Sequence, residues 1–392
     1  MIRFRRRLAA GLAALCLCLT AHPVRAEEME EWVDLDEVPR DTLLARDVFY
    51  HMPNENSAIL CDHEVCFWKL KMGEMNESAI WQVLTQPVTV LRGKQREQVR
   101  AKAEPSEDCE TYTGVVTCDS QAVHILERGE KWTLIEAYSS AEEGSSVHVF
   151  AEHFTGYVET ACLQEKEVNQ EYGIVIDKQQ QRLYLFHEGK LFSTLMCSTG
   201  FARADTPWHE TPAGEFLVVS WTGGFWAGKL YCDMALRINS GILLHEMPRI
   251  ERTREDGTTW WDYDTCTRFL GEKASHGCIR IQKDPTPEGV NAAWLWNNLP
   301  RTPNVKVIIW DDANRELMYP DDSLTLYYNP RSGRNYHSDP YCQAVNEKYL
   351  PLKPFTYGEL EDKTYKKLNR CPACAPQLRK SEIDTQNKKN RR

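Results

Sequence analysis

The chain has 392 residues, enough for two or three hydrophobic cores, and 57 acidic against 47 basic side chains give it a formal net charge of −10. That balance lacks the electropositive footprint of a nucleic-acid binder, and net charge draws the chain to neither anionic lipids nor anionic wall polymers.

Residues 1–26 read as a secretory leader. Arg3, Arg5, Arg6 and Arg7 precede the apolar run "LAAGLAALCLCLTA", and small residues end at Ala26, where a signal peptidase would cut. The run is short for a bilayer span; a retained anchor is the alternative. Export is therefore expected, to the cell wall, the periplasmic space or the medium. The leader takes five arginines and no acids with it, leaving a charge of −15. It also holds two of the fourteen cysteines, and export makes disulfides permissible among the rest.

Residues 27–98 form an N-terminal region of unclear fold, with short apolar runs and no clean period. Cys61 and Cys66 are close in sequence, as are Cys109 and Cys118, so a local bridge is expected for each pair. Residues 99–165 read as short alternating strands broken by Gly129, Gly144 and Gly156, the spacing of a small barrel. Val99-Arg100, Gly129 before Trp132 and the closing Gly156-Tyr157-Val158 resemble a bacterial SH3-like domain. That resemblance implies a cell-wall-targeting module, with a structural spacer as the other reading.

Residues 171–312 are strand-rich. Ile174–Ile176 and Arg182–Phe186 flank a polar turn, and a third strand runs into Ser198-Thr199-Gly200. "GEFLVVSW", "MALRI", "GILLHEM" and "VKVIIW" continue the pattern, and one helix is predicted at "TPEGVNAAWLWNNL". The expected fold class is mainly β: a small barrel, then a β sandwich with one helix, then a small Cys/His-rich module at 325–378. Residues 379–392, ending "NKKNRR", read as a disordered basic tail.

The stretch "KASHGCIRIQ" places Cys278 in a setting for nucleophilic chemistry. A thiol at its ordinary pKa of about 8.5 is only a few per cent thiolate at neutral pH, so catalysis needs a neighbouring base and backbone donors for the oxyanion. Gly277 permits close backbone approach. Arg280, two residues on, faces the same side as Cys278 in an extended strand and suits a substrate carboxylate. His245 ends the apolar stretch "GILLHEMP".

"SHGCIRI" behind a strand ending in His resembles the catalytic motif of the YkuD-type L,D-transpeptidases. "IVIDKQQQRLYLF", "CSTG" and "TPAGEF" are similar to further family segments in the same order, over residues 171–312. The resemblance implies Cys278 as nucleophile, His245 as proton acceptor and donor, and His276 as a residue shaping the site. It implies Ser275 and Gly277 at pocket and oxyanion-loop positions and Arg280 in substrate binding. The implied reaction takes peptidoglycan stem peptides through a Cys thioester to 3→3 cross-links, with no cofactor for catalysis. Water as acceptor would make the enzyme an L,D-carboxypeptidase. A catalytically silent wall-binding protein is the reading from another class. Twenty-nine residues separate His245 from Ser275, more than is usual for the family. The extra segment, 247–269, carries Trp260, Trp261 and Tyr263 and reads as a lid or substrate-binding insertion, or as a loop pinned by a Cys266 bridge. His209 is the other candidate base.

His337, Cys342, Cys371 and Cys374 have the spacing of a structural zinc site. A disulfide with one spare thiol is the alternative. With zinc there and Cys278 free, Cys61, Cys66, Cys109, Cys118, Cys162, Cys197, Cys232 and Cys266 are left to pair. Oligomeric state is not legible.

Overall fold

The computed structural model describes residues 77–390, apart from 314–316, 318, 343, 372 and 375. The leader, residues 27–76 and the Cys61–Cys66 pair lie outside the described residues.

Helix α1 (Glu77–Thr85) buries Ile80, Val83 and Leu84, an i, i+3, i+4 stripe. Its partners are Val175, Tyr184, Phe186 and Ile308. Seven strands follow: β1 (Val88–Leu91), β2 (Gln98–Lys102), β3 (Tyr112–Thr117), β4 (Ala122–Arg128), β5 (Trp132–Ser140), β6 (Phe150–Glu159) and β7 (Leu163–Lys166). They form one antiparallel sheet, ordered β3-β2-β6-β5-β4-β1-β7. Alternate apolar residues from these strands, among them Leu91, Val116, Ile135, Phe154 and Val158, meet in one core. The sheet starts at Val88 rather than at residue 99, because "VTVL" pairs with both β4 and β7.

The next body contains β8 (Tyr172–Asp177), β9 (Arg182–His187), β10 (Lys190–Ser198), β11 (Gly214–Leu217), β12 (Ser220–Ala227), β13 (Leu230–Arg237), β14 (Leu243–Glu246), β15 (Ile250–Thr253), β16 (Thr259–Asp262), β17 (Ile279–Ile281) and β18 (Lys306–Trp310). Nine of these form a mixed sheet, β11-β18-β8-β9-β10-β17-β14-β13-β12, and β15–β16 is a separate hairpin. The predicted helix is present as α2 (Ala292–Asn298), with Asn291 capping it by accepting from the Trp294 amide. Its Ala292 and Leu295 join Ile174, Leu195, Phe216, Leu236, Leu244 and Ile281 in the main core.

The last sheet comprises β19 (Thr325–Tyr328), β20 (Asn335–His337), β21 (Lys353–Thr356) and β22 (Asn369–Arg370), ordered β21-β19-β20-β22. The stretch expected as a disordered tail is instead helix α3 (Lys380–Asn390). Its composition is polar, but Ile383 and Gln386 are buried three residues apart. Glu382 accepts from the Arg379 amide at the helix start, at 2.7 Å. Asn387 exchanges hydrogen bonds with the Leu317 backbone.

The expected pairing of cysteines is also corrected. All ten described cysteines are free thiols, including Cys109, Cys118, Cys162, Cys197, Cys232 and Cys266. Cys109 and Cys118 flank the six-residue strand β3, which spans roughly 20 Å. A disulfide needs Cα atoms within about 7 Å. Cys118 points into the sheet's core beside Cys162, while the Cys109 thiol donates to the Thr111 carbonyl.

The seven-stranded sheet meets the nine-stranded one through charge. His124 of β4 lies 2.6 Å from Glu215 of β11 and also pairs with Glu136. Burial alone would lower the His124 pKa, but the two carboxylates outweigh it and hold it at about 9. Glu215 is also paired with Lys306, which in turn donates to the Val83 carbonyl of α1.

Candidate active site

Strands β14 and β17 run parallel, with Leu244 opposite Ile279 and His245 opposite Arg280. Side chains alternate along a strand, so residues 243 and 245 share a face with 278 and 280. Cys278 is thus one diagonal step from His245, with Arg280 directly across from the histidine.

The Cys278 thiol sits 3.6 Å from the Gly241 carbonyl. Burial is the largest influence on it and pushes its pKa up; the Leu243 amide and the charges of Arg280 and Arg237 pull the other way. His245 is buried, with Nδ1–H donating to the Glu246 carbonyl at 2.7 Å. That bond leaves Nε2 as the unprotonated nitrogen. Burial, with a smaller push from Arg280, takes its pKa down to about 4. In the resting site, thiol and imidazole are therefore both neutral at pH 7. Phe225 packs edge-on against the imidazole. Arg280 is largely buried, within charge range of Cys232, Cys266 and Cys278.

The loop before Cys278 is tied down from several sides. Gly277 has φ +113°, a conformation costly for any other residue. Its amide donates to the Ser275 hydroxyl at 3.1 Å, and that hydroxyl donates to the Cys278 carbonyl. The Thr211 hydroxyl donates to the Gly277 carbonyl at 2.7 Å and accepts from the Gly200 amide at 2.8 Å. Ala274 and Ser275 both donate to the Thr199 carbonyl, and Gln181 holds Thr199 in turn. Beneath the loop, Lys273 is salt-bridged to Glu210 and Asp312, and Lys178 to Glu210, Asp311 and Asp312.

Ser275 is buried and its hydroxyl is spent within the loop, as is the Gly277 amide. These two residues, expected at pocket and oxyanion-loop positions, hold the loop's own hydrogen bonds. His276 is exposed and stacks flat on His209, 4.1 Å between ring centroids. The alternative base His209 is thus on the rim with His276. His209 leads through Trp208 to Phe150 of β6. On the other side of the thiol, Glu142 accepts from the Gly241 amide at 2.9 Å, and Asn239 donates to Ser140 at 2.6 Å.

The 247–269 segment holds the β15–β16 hairpin, turning at Asp256-Gly257, and a single helical turn, Asp264–Thr267. Trp261 packs with Trp226 and Tyr231 of β12 and β13, and the Arg249 guanidinium stacks on Tyr231, Trp261 and Tyr263. Trp226, Trp260 and Trp261 remain exposed. No Cys266 bridge pins the segment: that thiol packs among Met196, Met247 and Leu270.

Thr211, Arg237, Glu142 and Phe225 were not singled out as individual site residues from sequence. Only Thr211 had a signal there, the Thr-Pro-x-Gly segment. His337, Cys342, Cys371 and Cys374 come together as expected, their ligating atoms all within 4.8 Å of one another.

Among solved structures, the chain is similar to an L,D-transpeptidase from Xylanimonas cellulosilytica, at 19% identity over 36% of this chain and 60% of that one, with a TM-score of 0.24. An L,D-transpeptidase from Stackebrandtia nassauensis gives 19% identity, 37% and 58% coverage, and a TM-score of 0.25. One from Mycobacterium smegmatis gives 15%, 58% and 92%, and 0.27. The chain therefore spans 60% of the first of these and 58% of the second. No curated protein matches. Residues 171–309, which hold the nine strands of the mixed sheet save Trp310 at the end of β18, match the YkuD family, the L,D-transpeptidase catalytic domain.

Proposed function

We propose that the protein is an exported L,D-transpeptidase that joins peptidoglycan stem peptides by 3→3 cross-links through a Cys278 thioester. The observation that carries this reading is the shared face of β14 and β17. It sets a thiol, a neutral imidazole with Nε2 free of its proton, and a guanidinium side by side.

The steps follow from those groups. Donor binding displaces water, and Arg280 engages a carboxylate of the stem through its planar fork. The Cys278 proton passes to His245 Nε2 as sulfur attacks the carbonyl of an L-centre/D-centre peptide bond. Arg280 and Arg237 favour the developing thiolate, while the buried imidazolium is short-lived. His245 returns the proton to the departing amine, the terminal D-residue leaves, and a thioester remains. An amine from a second stem attacks it, losing its proton to His245, and sulfur is released as thiol. Water in place of the amine gives the carboxypeptidase outcome.

The seven-stranded sheet, which resembles an SH3-like domain in sequence, serves wall association in this reading. In this reading the β15–β16 hairpin, with Trp260 and Trp261 exposed on it, serves as a substrate-binding lid. Export rests on the leader.

The test is incubation with purified disaccharide tetrapeptides and mass spectrometry of the products. A cross-linked dimer, with loss of one terminal D-residue, is expected from wild type and not from Cys278→Ala. A carbapenem should add its mass to wild type alone. A full adduct on Cys278→Ala would remove this thiol from the mechanism, and tripeptide without dimer would make the enzyme a carboxypeptidase.

A further inference from the structure

We propose that His337, Cys342, Cys371 and Cys374 bind one zinc ion, and that this metal site clamps the loop leading to Cys278 through Arg370. The metal half stands independently of the proposed reaction; the clamp half rests on it.

The donor spacing fits a tetrahedral ion. The Cys342 and Cys371 sulfurs are 3.8 Å apart, and the Cys374 sulfur is 3.6 Å from His337 Nδ1. With Zn–S of about 2.3 Å and Zn–N of about 2.05 Å, a tetrahedron has S–S edges of about 3.8 Å and S–N edges of about 3.6 Å. The three cysteines are free thiols, so no disulfide joins the converging donors. Three of the four residues are buried. Four protein ligands close the coordination sphere, which is the structural rather than the catalytic type of zinc site.

The ligands come from separate segments: His337 ends β20, Cys342 follows in a loop, and Cys371 and Cys374 form the turn after β22. The sheet they join is small, with Leu326, Tyr336, Phe355, Tyr357 and Leu360 as its core. A unit of this size gains from a metal staple. The ion would also lock the parallel pairing of Tyr336 with Arg370.

Arg370, next to ligand Cys371, reaches out of the module. Its Nη2 donates to the Leu270 carbonyl at 3.3 Å. Gly271 has φ +88°, and a Cβ there would run into the Arg370 guanidinium. The Gly271 amide donates to the Ser198 hydroxyl and the Cys197 carbonyl. From Gly271 the chain passes through Lys273 and Ser275 directly to Cys278. Arg370 is thus a positioning residue between the metal turn and the loop.

The full chain, purified without chelator, should contain about one zinc per molecule by elemental analysis. Cobalt substitution should give the thiolate-to-metal charge-transfer bands of a Cys3His site, and stripping the metal should expose three additional reactive thiols. Cys371→Ser should lose the ion; should that variant fail to fold, chelator titration of wild type gives the same information. Zinc-free protein, or a disulfide among Cys342, Cys371 and Cys374 in freshly purified material, overturns the metal site. For the clamp, Arg370→Gln should keep its zinc and melt cooperatively, yet acylate Cys278 with a carbapenem about tenfold more slowly at saturating drug. Apparent affinity should change little, and Arg370→Lys should recover part of the rate. Wild-type acylation by Arg370→Gln with zinc retained overturns the clamp alone. Failure of wild type to acylate at all counts against the proposed reaction and the clamp, and leaves the metal result standing.

Discussion

Glu142, in the loop between β5 and β6, accepts a hydrogen bond from the Gly241 amide, and the carbonyl of the same Gly241 faces the Cys278 thiol. A residue outside the nine-stranded sheet thereby fixes the backbone beside the proposed nucleophile. Glu142→Ala should slow carbapenem acylation of Cys278 about fivefold, the equivalent of roughly 1 kcal/mol for one hydrogen bond. Glu142→Gln, which keeps an acceptor oxygen, should stay near wild type. Stopped-flow acylation rates for the two variants check this.

His245→Ala should lower the acylation rate about 10²–10⁴-fold, the usual worth of general acid–base help. The same residue shapes pH stability. Its folded pKa, about 4, lies below the ordinary 6.5, so the unfolded chain takes up a proton first as pH falls. Stability is fully present above pH 6.5 and is lost between 6.5 and 4, by about 3 kcal/mol from this residue. Urea titrations of wild type and His245→Gln across that window should show the acid-side loss shrinking in the variant.

His124 works in the opposite sense. Its folded pKa is raised to about 9 by Glu136 and Glu215 despite burial, so its contribution is complete below pH 6.5 and is lost as pH rises through 9. The melting-temperature gap between wild type and His124→Gln should be widest at pH 6 and close by pH 9.5. A gap that stays constant would mean the ring is held by packing alone.

Thr211→Val keeps the shape of the side chain and removes its hydroxyl. The Gly200 amide and the Gly277 carbonyl then lose a partner in a buried setting, at a cost of about 1–3 kcal/mol each. Thermal melting should report the stability loss, and acylation should slow because the φ +113° turn before Cys278 is no longer tied.

Leu84→Ala should destabilise the protein by about 2–5 kcal/mol. Leu84 is fully buried, and a Cβ at Gly173 of β8 would come within 2.8 Å of it. Denaturant unfolding monitored by fluorescence measures the loss.

The relation of Cys278 to Arg280 was legible because strand alternation is local: two residues along always returns to the same face. His245 sits on a different strand, so only the resemblance of the motif pointed to it. The four C-terminal donors were legible for a similar reason, since Cys-x2-Cys spacing reflects the bite of a single turn. Glu142 and Arg237 were hidden, because their places depend on how the β5–β6 loop and β13 pack, which no local pattern encodes. Composition misled at both ends of the described residues. "AIWQVL" lacked a clean period by itself, yet it supplies the apolar stripe of α1. The lysine-rich end concealed Ile383 and Gln386, whose burial organises α3. The expectation of disulfides treated nearness in sequence as nearness in space, and β3 separates Cys109 from Cys118 by its own length.

Helix α1 comes before the seven-stranded sheet in the chain but covers Val175, Tyr184, Phe186 and Ile308 of the nine-stranded one. The chain thus visits the nine-stranded body, leaves to build the seven strands, and returns. The seven-stranded unit is therefore spliced in rather than strung on the front like a bead. Trimming the gene back to the family match at residue 171 would remove not a detachable accessory but part of the nine-stranded body's own casing.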